Sequence, residues 1–263
     1  MSHGLFQEKI KLDAETHVYS DSTNQNYMGF SSVFSLISKP FFEGLHKTVA
    51  FSEGVEPSEV RARWDAQRED GNRIDDCLTE YAQTGKLGDE NSDLLEAVQQ
   101  ILPQYKDYHK TYEQLIVYNE QYRTATAIDK LSLCTNRKDS PFVTSDFKAF
   151  EKMDLMRHNG WLKAPFDYLP DSKFIKIAFQ LSYGSYHFEK LTGKRCKQQY
   201  IHLVKPSTCK KVGDEPVKVE QQIVQIPYLR MEIELLLSTF ADEIKTKLAE
   251  QKQNKELNIL DLI

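Results

Sequence analysis

Residues Glu113–Lys148, EQLIVYNEQYRTATAIDKLSLCTNRKDSPFVTSDFK, decide the fold. Two runs rich in apolar and β-branched residues, Arg123–Cys134 and Phe142–Phe147, flank the segment TNRKDSP. Thr, Asn, Asp, Ser and Pro stop a strand and permit reversal. The pattern predicts an antiparallel hairpin, preceded by a further strand over Glu113–Tyr118. Charged residues stand where buried strands are otherwise apolar. Asp129 separates TATAI from KLSL, and Asp146 and Lys148 end the return strand.

Pleating predicts how these charges meet. Asp146 and Lys148 are two apart and point to one face of a strand. Residues opposite each other across an antiparallel pair also share a face. If Asp129 lies opposite Asp146 or Lys148, all three groups converge, whereas a slip of one residue sends Asp129 to the other face. Two adjacent carboxylates repel unless a cation lies between them, and a hard ion such as Mg²⁺ suits oxygen ligands. Such an ion would polarise a phosphoryl oxygen and activate water. The alternative is a surface hairpin with a Lys–Asp pair of little energetic consequence.

Working outward, residues 10–42 suggest a short hairpin leading into a helix capped by Ser31 or Ser32. Residues 56–85 read as helix, with Ser58 as cap and Ile74, Leu78 and Tyr81 on one face. A loop, TGKLGDENS, leads to a helix over 93–112, capped by Ser92. Its tyrosines Tyr105, Tyr108 and Tyr112 either stack on bases or pack. Residues 149–172 form a long connection mixing aromatic and basic residues, among them Lys152, Arg157, Trp161 and Lys163. Such a loop either grips phosphates and stacks on a terminal base or plugs the edge of the core. Ser172 and Gly193 bracket an amphipathic helix. Alternating runs at 197–205 and 217–226 predict two strands, and 227–250 predicts a final helix. The tail, QKQNKELNILDLI, docks on a partner or folds back.

At 263 residues the chain is long enough for one large domain with a buried core. The net charge of −5 means that any contact with DNA must come from a local basic surface. No run is long enough to span a membrane, and Met1–Lys11 lacks a signal-peptide pattern. Cys77, Cys134, Cys196 and Cys209 show no CxxC pairing. They are expected to be reduced thiols in a cytoplasmic protein.

Asp129, sixteen residues, then Asp146-Phe147-Lys148 resembles the PD-(D/E)XK nuclease signature, in its RecB-like and phage-exonuclease-like form. Ile128 stands where that signature has Pro. Asp13, His17 and Tyr19, followed by Ser32-Val33-Phe34-Ser35-Leu36-Ile37, are similar to the start of phage-type members. Trp64 and Gly71 match a helix of the family in which Asn72 replaces a Thr and Asp75 stands for a metal-binding His. Gln180 matches the Gln of a later helix. Tyr183 falls three residues on, where the usual spacing of four gives Gly184.

The resemblance spans roughly residues 10–250. It implies a restriction-endonuclease-like α/β/α core in an α/β protein, with a mixed central sheet and added N-terminal hairpin and helices. It implies a Mg²⁺-dependent deoxyribonuclease, with Mn²⁺ able to substitute. Asp75, Asp129, Asp146 and the Phe147 carbonyl would hold the metal, with Lys148 positioning or activating water and Gln180 beside it. Glu113 and Tyr183 would be auxiliary. The cysteine spacing lacks the grouped trio of an iron–sulfur member. The favoured activity is an exonuclease on duplex ends in phage-type recombination, partnered by a single-strand-annealing protein in a bacterial host and with oligomerisation open. The alternatives are an endonuclease of repair or restriction and a non-cutting binding module on the same scaffold.

Overall fold

The computed structural model describes residues 9–13, 16, 18–39, 44–101, 110–137, 139–150, 155–209 and 216–260, without the side chains of Asn159 and 252–260. His17, Tyr105, Tyr108 and Lys152 lie outside the described residues, as do the side chains of the apolar tail. Three short strands come first: β1 (Ile10–Asp13), β2 (Val18–Asp21) and β3 (Asn26–Gly29). Helices α1 (Phe30–Phe34), α2 (Leu45–Glu53) and α3 (Pro57–Thr84) follow. A 3₁₀ turn over Asp89–Leu94 runs into α4 (Leu95–Ile101).

Next come the central strands β4 (Lys110–Asn119), β5 (Thr124–Leu133) and β6 (Phe142–Ala149). The chain closes with β7 (His158–Trp161), β8 (Pro170–Ser172), α5 (Lys173–Thr192), β9 (Cys196–Val204), β10 (Gln221–Ile226), α6 (Arg230–Thr239) and α7 (Ala241–Leu260).

The predicted hairpin is β5–β6, paired antiparallel from Leu133–Phe142 to Lys130–Ser145. The sheet runs β1-β2-β3-β5-β6-β9-β10, with β4 also on β5. It is mixed, because β3–β5 and β6–β9 are parallel while the other pairs are antiparallel. β5 therefore has three neighbours. β4 covers one edge from end to end. The other edge is shared by β3, at Thr124 and Ala125, and by β6, from Lys130 onward. Between them the sheet forks, and the edge of Thr126–Asp129 is left to other partners. The Ala127 N–H donates to the Tyr19 hydroxyl there at 3.0 Å, so the fork does not strand that buried donor.

Helices cover both faces of the sheet. On one, Ile74, Cys77 and Leu78 of α3 join Ala97, Val98 and Ile101 of α4 against Val204, with Phe147 beside them. On the other lies α5, buried nearly all round rather than along a stripe. Its outer side is covered too: Phe179, Tyr183 and Tyr186 pack with Phe30, Phe34 and Ile37 and with Ile233, Leu236 and Leu237 of α6. The result is helix layers on a mixed central sheet. No described helix is long and apolar enough to cross a membrane.

Several boundaries differ from the sequence reading. The helix expected over 93–112 ends at Ile101 within the described residues, and Lys110–Tyr112 are already strand. Their partners Leu133, Ser132 and Leu131 extend the ladder. Ser31, Ser32 and Ser58 lie inside helices whose N-caps are Gly29 and Glu56, and Pro57 occupies the first turn where its missing N–H costs nothing. Ser92 sits within the 3₁₀ turn. The connection over 149–172 contains a small hairpin, β7–β8. The strand expected at 217–226 begins at Gln221, and the final helix is two, parted at Phe240. The capping of α5 is as expected, with Ser172 Oγ accepting from Ile175 N at 3.2 Å and Gly193 left-handed at φ 70°.

Candidate functional site

The register of β5 and β6, continued one step past Lys130–Ser145, sets Asp129 opposite Asp146. This is one of the two pairings that pleating allowed. Lys148 Nζ donates to Asp146 Oδ1 at 2.8 Å. Asp146 is 1% exposed, and its Oδ2 is buried without a hydrogen-bond partner. The Lys148 side chain keeps 30% of its surface in solvent.

Asp75 reaches the group from α3. That helix comes close because Gly71, one turn earlier, has no side chain; a Cβ there would lie 3.2 Å from the Ala149 Cβ. Gln180 reaches it from α5 on the other side. Gln180, Asp129 and Asp146 line one small pocket with Ala127, Ile128, Leu181 and Gly184. Asp75, Asp129, Asp146, Lys148 and Gln180 thus come together from two strands and two helices.

Electrostatics follow from that crowding. Burial, and then the Asp146 charge, raise the Asp75 carboxyl to about 6. The same two causes push Asp129 well above the ordinary carboxylate range. Burial works against the charge of Lys148, but Asp146, Asp129 and Asp75 outweigh it and hold the amine above its ordinary value. Lys148 is therefore a cation at neutral pH, and the carboxylates around it are short of counter-charge.

Glu113 stands slightly apart. It lies opposite Lys130 on β4 and forms an ion pair with it at 3.2 Å. Burial raises its carboxyl while Lys130 opposes that rise. Its charge is felt at Asp75, which places it at the margin of the cluster. Phe147 turns its ring onto His202, with centroids 5.0 Å apart. Its strand continues to Ala149 paired with β9.

Tyr183 is not with the carboxylates. It is fully buried, 4.3 Å from the His187 ring and 5.5 Å from that of Phe30. Burial raises its phenol. The position four after Gln180 is filled by Gly184, where a Cβ would lie only 2.7 Å from Ile128 Cγ1. The close approach of α5 to β5 leaves no room there for a tyrosine.

Two further residues at the site were not singled out as site residues from the sequence. Gln114 interrupts β4 with a left-handed backbone at φ 50°, and the β4–β5 ladder passes over it. Its Nε2 donates weakly to Asp129 Oδ1, at 3.4 Å. The strand changes parity at this point. Thr126 and Ile128 face Gly184 on α5, yet Leu131 packs with Ile128 and Phe188 in one cluster. Residues i and i+3 share a face only if pleating is broken between them, and Asp129 sits at the break. Tyr19 is the second. It bonds the Ala127 N–H at the fork, and its phenol is raised by burial, with the Asp129 charge adding to the rise. A positive φ in mid-strand has no composition signal, and the Tyr19 contact is set by the fork.

The donor set suits a hard divalent cation: carboxylate oxygens, one of them buried and unpartnered, with an amide beside them. Among the described residues, no three His, Cys, Asp or Glu side chains are drawn into a ready ligand set. Comparison with known proteins finds no matching family model and no matching curated protein. What fold and site define is a mixed α/β protein with helices on a mixed sheet and a partly buried, under-compensated carboxylate cluster at the sheet's fork.

Proposed function

We propose that the chain is a divalent-metal-dependent deoxyribonuclease that hydrolyses phosphodiester bonds, acting as an exonuclease on duplex ends. The observation that carries this reading is Asp129 and Asp146 side by side, with Lys148 hydrogen-bonded to Asp146, at the fork in the sheet. Buried carboxylates short of counter-charge are costly to keep and are found where they hold something.

Asp75, Asp129 and Asp146 would hold Mg²⁺, which when bound supplies Lewis acidity toward a phosphoryl oxygen. The protein's own groups do the rest. Lys148, held cationic by three carboxylates, orients the scissile phosphate and offsets the negative charge that builds on phosphorus. A protonated amine cannot take the water's proton, so its role is charge stabilisation. Gln180 offers an amide to a water in the small pocket it shares with Asp129 and Asp146. In the reaction water oxygen bonds to phosphorus, the bond to the leaving sugar oxygen breaks, the water gives up a proton and the leaving oxygen takes one.

Digestion of linear DNA with and without Mg²⁺, for the parent and for Lys148→Ala, tests the reading. The parent should cut only with the metal and the variant should not. A variant that digests DNA as well as the parent would remove Lys148 from the reaction. Covalently closed circular DNA should resist, and its cleavage would make the enzyme an endonuclease.

A further inference from the structure

β6 does not end at the carboxylates. It runs through Lys148 and Ala149, and Phe150 follows. α3 packs across this end, Gly71 against Ala149, and continues N-terminally past it through Asp70, Gln67, Trp64 and Arg63. On the other face α5 begins at Lys173, with its ammonium 4.6 Å from the centre of the Phe150 ring. The two helices flank the strand beside the metal-type cluster and part beyond it. Between them lies a cleft of about 480 Å³, lined by Glu53, Arg63, Trp64, Gln67, Phe150 and Lys173, with Asp70 at its inner end.

We propose that this cleft binds one unpaired nucleotide of the DNA strand, adjacent to the scissile phosphate. The inference rests on the nuclease reading for its substrate and goes beyond it in naming a subsite. Distance along the chain supports the adjacency. Asp70 is five helical residues from Asp75, about 7.5 Å at 1.5 Å per residue. Phe150 is two strand residues from Lys148, about 6.6 Å. A strand lying on the carboxylates therefore enters the cleft with its neighbouring nucleotide, and Trp64, eleven residues before Asp75 and about 16.5 Å from it along the helix, stands at the far end.

The lining suits that occupant. Trp64 is half-buried and so keeps part of its indole open to the cleft, and Phe150 is its aromatic counterpart. Aromatic walls hold bases of any sequence by stacking. Gln67 presents an amide to a base edge. Lys173 is exposed and supplies the cation for a phosphate, whereas Arg63 is already paired with Glu53. The volume falls in the ~300–1,000 Å³ range of pockets for ligands of nucleotide size. Stacking on Trp64 requires a base freed from its partner, so on this proposal the duplex is open at this point.

Trp161 is the only other tryptophan, so Trp161→Phe leaves Trp64 as the sole indole reporter. That protein is titrated in EDTA, where nothing is cut, with a single-stranded octathymidylate and separately with a blunt duplex hairpin. Anisotropy of labelled oligonucleotide reports binding in parallel. The single strand should quench the Trp64 emission saturably. In the parent background Trp64→Ala should weaken binding about tenfold, and Trp64→Phe should restore most of it. Lys173→Glu should weaken binding and flatten its salt dependence.

Bound oligonucleotide that leaves the emission unchanged, equal quenching by the blunt duplex, or no binding at all would each overturn the subsite. None of these touches metal-dependent digestion. If digestion persists without quenching, the subsite fails alone. If quenching occurs without digestion under Mg²⁺ or Mn²⁺, the nuclease reading fails alone.

Discussion

Two buried polar groups flank α5, and they are built on opposite terms. In the first, Thr144, Ser182, Ser185 and Gln199 are all fully buried and neutral. Gln199 accepts from Ser182 at 3.0 Å and donates to Ser185 at 2.8 Å, Ser185 meets Thr144 at 3.0 Å, and Ser182 accepts from Leu229 N at 2.9 Å. The second, at Gln180 two residues before Ser182, gathers Asp75, Asp129 and Asp146 around one ammonium and leaves Asp146 Oδ2 unpartnered. A satisfied neutral network fixes how α5, β6, β9 and the start of α6 sit together. An unsatisfied charged one costs stability. The same helix carries one group for architecture and the other, on our reading, for chemistry.

Substitutions in the two groups should therefore part stability from activity. The largest effect is expected at Lys148→Ala or Asp146→Asn: about a thousandfold less Mg²⁺-dependent DNA cleavage, with the circular dichroism spectrum unchanged. Gln199→Leu should do the reverse. It leaves the buried Ser182 O–H without its acceptor and takes one of two partners from Ser185, and should cost about 1–3 kcal/mol in urea unfolding. Cleavage per folded molecule should stay at the parent level. If Gln199→Leu abolishes cleavage in a folded protein, the division between the groups is wrong.

Asp75→Asn sharpens the contrast through pH. The Asp75 carboxyl is raised in the folded state to about 6, above its ordinary 3.8. The folded protein thus binds the extra proton, and stability is lost as pH rises from about 4 to about 6. The amide removes that loss. It should stabilise by about 1–2 kcal/mol at pH 8, with the gain shrinking as pH falls toward 4. His187 has the opposite sign, since burial lowers it to about 3 and the unfolded chain takes its proton first. For that reason the difference between variant and parent, not the parent's own profile, is the quantity to measure. A gain independent of pH would count against the crowding of Asp75 by Asp146.

The smallest effect is expected at Gln114→Gly. Glycine accepts φ 50° without the steric cost that a Cβ carries, which favours the fold by up to about 1 kcal/mol. Loss of the amide at Asp129 should lower cleavage several-fold. A Gly variant that is fully active would make the left-handed residue a purely structural feature of the parity change.

Much of this could be read from the chain. TNRKDSP between two β-rich runs marked the hairpin, but pleating left Asp129 opposite either Asp146 or Lys148, and the register of the strands chose Asp146. Asp75 was singled out through the resemblance alone; the close approach of α3 to β6 at Gly71 is a tertiary contact. Ser172 and Gly193 bracketed α5. What could not be read was tertiary in origin. Tyr183 seemed eligible for the site because sequence spacing does not say which side of α5 faces Ile128; the contact at Gly184 decides that. The fork in β5 depends on β3 and β6 arriving from distant parts of the chain. The start of β4 at Lys110 was hidden because Lys110-Thr111-Tyr112 continues a helical-looking pattern and becomes strand only through pairing with Leu131–Leu133.

Calorimetric and thermal-shift titration with Mn²⁺ tests the central claim most directly. The account predicts that the parent binds the ion and is stabilised by about 2.7 kcal/mol at a hundredfold excess over Kd, and that Asp129→Asn and Asp146→Asn each abolish both signals while remaining folded. Absence of binding to the parent, or equal binding by the two variants, would contradict it.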